Sequence, residues 1–456
     1  MFDRSKFRLR LNKIRPVRML VLGYMGIILT GALLLMLPIS SRERIFTPFI
    51  DTLFTSASAT CVTGLVVYDT FTHWSIFGQL VILTLIEIGG LGFMSMAIVI
   101  ITFTSRKVGF SQRMLMQESI AAPQVGGMVR MARLVIGGSL ALEAAGALIL
   151  ATRFIPDLGF ARGVYNAVFH SVSAFCNAGY DVLGRAQFGG ERSSLTYFNR
   201  DPRVLLTVAL LIIVGGLGFF VWDDIKTNRL RFRKYRLHSK LVLTTTAFLI
   251  AAGTLMILVF EYNAPAFKGM GFFAKLMNAF FQAVTPRTAG FNSVNVTALR
   301  ESTLFLTIIL MLIGGSPGST AGGVKTTTFA MLVLNVMTVS KKSRTLNAFH
   351  RRIDDGVLRS AATITSIYIF LFIFAAMTIS AVDGFPILKS LFEAASAIGT
   401  VGLSMGITGG LGTLSKLILT FLMYFGRVGC LTILYAIRTK SGAELSKSPL
   451  ERIAVG

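Results

Sequence analysis

Eight apolar stretches recur along the chain, each close to the ~20 residues that an α-helix needs to cross a bilayer's hydrocarbon layer. They fall into pairs: 19–37 with 80–103, 134–151 with 204–222, 241–260 with 304–329, and 360–382 with 417–437. Within each pair lies a further segment of roughly ten to fourteen residues, too short to span and therefore expected to be re-entrant. The pattern predicts four units of helix, half-helix with extended loop, and helix. The half-helices are expected at 51–59, 164–174, 272–284 and 387–397. The first apolar run ends at Pro38 with no small-residue cleavage pattern, so it is expected to persist as a span rather than to be removed as a signal peptide.

The four units are copies of one plan. Residues 54–65 read Phe-Thr-Ser-Ala-Ser-Ala-Thr-Cys-Val-Thr-Gly-Leu, and 169–180 read Phe-His-Ser-Val-Ser-Ala-Phe-Cys-Asn-Ala-Gly-Tyr. Aligned on one glycine, the four copies place Gly64, Gly179, Gly290 and Gly402 at spacings of 115, 111 and 112 residues. Ten residues before each glycine stands a phenylalanine (Phe54, Phe169, Phe280, Phe392), and directly after it a bulky apolar residue (Leu65, Tyr180, Phe291, Leu403). A period of this kind calls for four equivalent structures.

Composition and charge narrow the class. Hydrophobic residues make up 53% and charged residues 14% of the 456 positions, with a mean hydropathy of +0.69. A soluble domain usually carries about 25% charged residues, which excludes a soluble enzyme. The net charge of +24 is concentrated in alternate loops: the tail 1–18, residues 104–133, 226–240 (with Lys226, Arg229, Arg231, Arg233, Lys234, Arg236 and Lys240), and 341–359 (with Lys341, Lys342, Arg344, Arg351, Arg352 and Arg359). The positive-inside rule places these loops and both termini in the cytoplasm. The alternation points to topology, anionic lipid and a cytosolic docking surface rather than to nucleic acid. Cys61, Cys176 and Cys430 are an odd set without metal-ligand spacing, so no disulfide framework or zinc site is expected.

Non-helical backbone at membrane depth is tolerated where protein or a water-filled path surrounds it. Four such loops in quasi-fourfold array would meet on one axis. The residues leading into each glycine are then candidates for a selectivity filter: Cys61-Val62-Thr63-Gly64, Cys176-Asn177-Ala178-Gly179, Arg287-Thr288-Ala289-Gly290 and Gly399-Thr400-Val401-Gly402. In extended conformation their carbonyls could replace the water around a monovalent cation. The C-terminal ends of the half-helices would add partial negative charge. Tight packing of small residues is the plainer explanation of the same composition. For Arg287, a backbone role in the filter with its guanidinium bracing the loop from behind is expected; Glu393 is expected to buttress a loop.

Beneath the loops, Gly314-Gly315-Ser316-Pro317-Gly318-Ser319-Thr320-Ala321-Gly322-Gly323-Val324-Lys325 breaks the second helix of the third unit, since five glycines and a proline do not sustain a helix. It is expected to line the permeation path, the alternative being a passive kink. Arg427 occupies a slot that holds glycine in the other units, within an apolar span. It is expected either to limit cation flux or to pair with Glu87, Glu143 or Glu393. Glu87 and Glu143 are expected to cap or pair within the bundle.

These segments resemble the potassium transporter superfamily that contains TrkH, KtrB and the plant HKT proteins, with the KtrB type matching best because eight spans occur without an added N-terminal pair. The resemblance implies an all-α polytopic membrane protein of the bacterial cell membrane. Its four fused M1–P–M2 potassium-channel-like repeats, with eight spans and four re-entrant pore loops, would surround a central pore. The units would run 19–103, 104–225, 226–340 and 341–437, between cytoplasmic tails 1–18 and 438–456. The resemblance also implies potassium as the transported ion, favoured by glycine at position 64, and segment 314–325 as an intramembrane gating loop. It further implies a homodimer, and a cytosolic nucleotide-binding ring of the KtrA type through which ATP or ADP acts. Sodium is implied as an activator, and no cofactor is expected to be covalently bound. A sodium- or proton-coupled potassium symporter is the competing function. An enzyme is not expected, because the spans contain no nucleophile–base pair, and no Gly-x-x-x-x-Gly-Lys-Ser/Thr phosphate loop is present.

Overall fold

In the computed structural model, residues 16–92, 128–184, 194–229, 231–343 and 345–437 are described. The first and last tails, residues 93–127 and 185–193, Leu230 and Arg344 therefore lie outside the described residues. The first unit runs through α1 (Pro16–Met36), α2 (Phe49–Thr60) and α3 (Ile76–Leu91), and the second through α4 (Met128–Leu158), α5 (Phe160–Phe175), α6 (Pro202–Leu217) and α7 (Phe219–Asn228). The third comprises α8 (Leu237–Glu261), α9 (Phe272–Val284), α10 (Glu301–Leu312) and α11 (Thr326–Ser340). The fourth comprises α12 (Asp355–Asp383), α13 (Ile387–Gly399), α14 (Thr413–Val428) and α15 (Cys430–Ile437).

Local chemistry sets these boundaries. The Ser75 hydroxyl accepts from the Gly78 amide at the start of α3. Asp201 accepts from the Arg203 amide and Pro202 opens α6; Asp354 caps α12, which ends on left-handed Gly384. Among the described residues, four helices are long and apolar enough to cross a membrane: Val17–Met36, Arg130–Leu158, Leu237–Glu261 and Asp355–Asp383. They are the first helices of the four units, and they turn large apolar side chains outward, such as Leu33, Leu148, Phe248 and Phe370. Serines and threonines are turned inward, among them Ser56, Ser171 and Thr303, all buried. This inside-out polarity suits a lipid surround, in which small and hydroxylated residues join helices.

The packing is cyclic. Each first helix lies against the short helix of its own unit, as α1 on α2, α4 on α5, α8 on α9 and α12 on α13. Each second helix lies against the short helix of the next unit: α3 on α5, α6 on α9, α10 on α13, and α14 back on α2. The circle closes through a partly buried ion pair, Lys416 Nζ to Asp51 Oδ1 at 2.7 Å, in which the other carboxylate oxygen of Asp51 accepts from the Tyr68 hydroxyl at 2.7 Å. At the opposite end, Arg18 Nε at the start of α1 donates to the Ala436 carbonyl in α15 (2.7 Å).

Two expectations need correction. Breaks are not confined to the third unit. The helices α3, α6 and α14 end at Gly92, Gly218 and Gly429, with φ of 84°, 92° and 91°, and α6 and α7 meet at 93°. A positive φ with an extended ψ is open to glycine and scarcely to other residues, so the helix stops there. The all-helical class also has an exception: Asn347–Ala348 pairs antiparallel with Arg351–Arg352 across Phe349 and His350, both at positive φ. This hairpin brings the two basic loops together, with the Phe232 and Phe349 rings 6.2 Å apart and Lys240 lying over both.

Candidate functional site

Each short helix unwinds into a loop of the same shape. The residue two before the repeat glycine is left-handed in all four units: Val62 (φ 59°), Asn177 (61°), Thr288 (70°) and Thr400 (51°). The glycines follow at 89°, 68°, 79° and 92°. The intervening Thr63, Ala178, Ala289 and Val401 do not share the positive sign. The stretches are therefore not uniformly extended, contrary to expectation. A φ that changes sign from residue to residue turns successive carbonyls to the same side, which a plain strand does not do.

The four glycines meet. A Cβ on Gly64 would overlap the Ala178 carbonyl, one on Gly179 that of Ala289, one on Gly290 that of Val401, and one on Gly402 that of Thr63. The contacts run once around the repeats and return to the start, with every position lined by backbone. Hydroxyls hold each loop at the same level. Ser58 and Ser396 accept from the amides of Gly64 and Gly402 at 3.1 and 3.0 Å. Ser173 and Thr285 instead donate to the carbonyls of Tyr180 and Phe291 at 2.8 and 2.7 Å. In the third unit Val284 stands where the others have serine, and Thr285 supplies the hydroxyl one residue later. Asn177 and Thr288 join adjacent loops side chain to side chain at 3.2 Å. Arg287 turns away and donates to Thr246 of α8 at 3.2 Å; Glu393 accepts from Ser404 at 2.7 Å and from Thr408.

On one side the glycine ring opens into a cavity of about 550 Å³ lined by Gly64, Gly179, Gly290 and Gly402 together with Asp69 and Asp181. Burial and the nearby Asp69 carboxylate push Asp181 up to about 7, against the pull of the Leu183 amide.

On the other side lies segment 314–325. Its neck is closed by the Gly314 amide on the Val324 carbonyl (2.8 Å), the Thr326 amide on Gly315 (3.0 Å), and Ser316 beside Thr326 (2.9 Å). Its tip fills the bend of α6–α7: the Ser316 and Thr320 amides donate to Gly216 and Gly215, and the Phe219 amide donates to Gly318 at 2.7 Å. Gly322 packs on Thr400 of the ring with no room for a Cβ, and the Gly323 amide reaches Gly426 at 3.2 Å. Lys325 Nζ folds back on the Ala321 carbonyl at 2.8 Å. Arg427 donates to Thr320 of this segment and to Gly89 and Gly90 of the first unit, the last at 3.0 Å. Its partners are backbone carbonyls, so the carboxylate pairing held open by the sequence is corrected. It ties the third unit's segment to the unit diametrically opposite.

A family model described as a cation transport protein, TrkH, matches residues 24–446. The chain belongs to the TrkH family. It is 39% identical to the potassium/sodium uptake protein NtpJ of Enterococcus hirae over 98% of both chains, and 41% identical to the Ktr system potassium uptake protein B of Bacillus subtilis over 92% of both. The crystal structure of the potassium transporter TrkH from Vibrio parahaemolyticus superposes with a TM-score of 0.71 at 18% identity, covering 92% of this chain and 83% of that one, and so shares the fold. The proteins of this family are cation transporters rather than enzymes.

One regularity of the four units is visible in the sequence as recurring glycines, but its structural role is not. Gly89-x-x-Gly92, Gly215-x-x-Gly218, Gly314-x-x-Pro317 and Gly426-x-x-Gly429 are one motif. In three units its first glycine lies under a carbonyl of the short helix (Thr60, Phe175 and Ile398) and its last residue breaks the second helix, whereas in the third unit the helix already ends at Leu312. The spacing was visible; its meaning required the break. A second omission is a cluster of Glu87, Glu143 and Cys176, whose ligating atoms lie within 4.8 Å of one another. Their distance in sequence hid it.

Proposed function

We propose that this protein takes potassium into the cell through the ring of Gly64, Gly179, Gly290 and Gly402, driven by the membrane potential and gated by segment 314–325 with Arg427. The single observation that carries this reading is the closed circuit of glycines and neighbouring carbonyls, which presents oxygen from four repeats around one axis in place of an ion's hydration shell. The membrane-spanning length of the first helices and the potassium uptake named for the relatives agree with it. At about 100 mV, negative inside, entry of one cation is favourable by about 2.3 kcal/mol. The acid-lined cavity above the ring is the outer mouth, where carboxylates concentrate cations. Arg427 and the segment below it block the way in the conformation described, because the segment is bonded to units two and four and, through Arg427, to unit one.

The basic loops 226–240 and 341–359 then face the cytoplasm with both termini. Their contact through Phe232 and Phe349 makes them one surface, suited to an acidic cytosolic partner: the nucleotide-binding ring of the KtrA type expected for a Ktr system. A homodimer in the membrane completes the assembly. Charge reversal across both loops should abolish co-purification with such a ring, and intact co-purification would remove the docking site. The adjacent Glu87 and Glu143 carboxylates keep a coupled symporter as the second reading. Potassium flux into proteoliposomes decides: uptake that follows the imposed potential without sodium or a pH gradient supports the channel-like reading. Uptake that vanishes without either supports coupling, and no potassium uptake under any gradient would sink both.

A further inference from the structure

The cluster behind the second loop is built like a metal site. Glu87 comes from α3, Glu143 from α4, and Cys176 is the residue that ends α5 just before Asn177 of the ring. One oxygen of each carboxylate and the Cys176 sulfur all lie within 4.8 Å of one another. The thiol donates to Glu87 Oε2 at 3.4 Å. Glu143 is only 5% exposed, and its Oε1 is buried without a hydrogen-bond partner. A buried carboxylate oxygen without a donor, beside a second carboxylate, calls for a positive charge between them. Arg427 does not provide it, since its guanidinium is spent on the carbonyls of Thr320, Gly89 and Gly90.

We propose that Glu87, Glu143 and Cys176 bind a divalent cation of the zinc class, separate from the permeating ion. Two carboxylate oxygens and a thiolate with an open fourth position are a tetrahedral donor set, and the sulfur selects a borderline metal over sodium, magnesium or calcium. Ligand atoms on a tetrahedral zinc lie about 3.5 Å apart, so the present spread closes with a side-chain adjustment of about 1 Å. Binding replaces the S–H···O hydrogen bond: the thiol proton leaves to water and the sulfur lone pair goes to the metal. Glu87, half-buried where Glu143 and Cys176 are buried, is the entry side. The place suits regulation. The Cys176 sulfur packs where a Cβ on Gly90 would stand, and the Gly90 carbonyl is an Arg427 acceptor, so a metal here would fasten the second loop to the perch of the arginine.

The proposal is independent of transport, and its test reads binding. The full chain, purified in detergent micelles, is titrated with Co²⁺ and then displaced with Zn²⁺. One Co²⁺ per chain is expected, with a thiolate-to-metal charge-transfer band in the near ultraviolet that Cys176→Ser abolishes and Cys61→Ser and Cys430→Ser leave intact. Glu87→Gln and Glu143→Gln should each weaken binding by at least about tenfold, since even the partners of ligands are worth that much. X-ray absorption at the zinc edge of the wild-type chain, which needs no variant to fold, should show one sulfur neighbour at about 2.3 Å with oxygens at about 2.0–2.2 Å. No saturable binding would mean that a shared proton alone holds the carboxylates together, and would overturn the proposal. So would a bound metal lacking a sulfur neighbour, or a charge-transfer band that survives Cys176→Ser.

Discussion

The glycine ring and the layer beneath it are built from the same four repeats, yet they treat symmetry in opposite ways. In the ring, every unit supplies a left-handed residue, a glycine at positive φ and a carbonyl against its neighbour, although the side chains at the left-handed position differ as widely as Val62, Asn177, Thr288 and Thr400. In the layer below, the equivalent slots hold Gly90, Gly216, Gly315 and Arg427, and one unit fills the space with segment 314–325. Backbone geometry is the product of the upper layer, and all four units deliver it. The lower layer works through one side chain and one irregular segment, for which four copies would collide on the axis. A chain with four fused repeats can hold the first constant while it varies the second, as a homotetramer could not.

The largest effect should come from breaking the ring. Gly290→Ala and Gly402→Ala each place a methyl group on a carbonyl of the next loop, at φ of 79° and 92°. Together the backbone and contact strain amount to about 3 kcal/mol, or roughly a hundredfold in the population of an intact ring. Potassium uptake in proteoliposomes should fall by that order while the protein still elutes as a single folded species. Uptake at the wild-type rate would show that the ring is not the path. By contrast, Gly26→Ala, where a Cβ meets nothing within 4 Å, should leave uptake unchanged.

Next in size are changes where the circle of helices closes and, after that, in the lower layer. Removing one partner of a fully buried ion pair costs about 3–5 kcal/mol; with Lys416 half-buried, Lys416→Met should cost less than that but still lower the unfolding temperature by leaving Asp51 without its cation where the circle closes. Adding Asp51→Asn to it should recover part of the loss; a double variant no better than the single one would mean that the pair does not act as a unit. Arg427→Ala is expected to act on flux more than on stability. It frees the Thr320, Gly89 and Gly90 carbonyls and should raise potassium flux at fixed potential by about tenfold, a coupling of about 1.4 kcal/mol. Arg427→Lys should behave nearly like the alanine variant, since an ammonium lacks the planar fork that bonds two units at once. An unchanged flux in both would remove Arg427 from the gate.

The two layers were not equally legible in the sequence. The ring could be read from glycines at a period near 112 residues because a backbone that needs positive φ leaves a mark in residue type. The left-handed turn at Val62 or Thr400 leaves none, as neither residue favours it, and residue type alone predicts an extended stretch there. The helix breaks at Gly218 and Gly429 leave no trace in hydropathy, because apolar runs continue through them and hydropathy does not register backbone direction. Arg427 was conspicuous as a charge in an apolar run. Its carbonyl partners come from two other units, and no spacing along one chain reveals them. The pairing of Lys416 with Asp51 was hidden for the same reason: 365 residues separate two polar positions, each of which alone looks like the end of a helix.

The smallest effect should come from the mouth, where the comparison between the two faces of the ring can be tested by pH alone. Asp181 titrates near 7, raised first by burial and then by Asp69. A carboxyl group raised in this way is neutral below that value and charged above it, so the mouth gains negative charge as the external pH rises from 6 to 8. Cation uptake at low ionic strength should rise over that interval by roughly threefold, the scale of modest electrostatic focusing, and should lose most of the rise in high salt, where such fields are screened. Asp181→Asn should flatten the profile and fix uptake at the lower level. A rise that persists in the asparagine variant would place the titrating group elsewhere. Because Arg427 and segment 314–325 lie on the far side of the ring, the profile should keep its midpoint in Arg427→Ala even as the absolute flux increases; a midpoint that moved would mean that the two faces are electrostatically coupled through the ring.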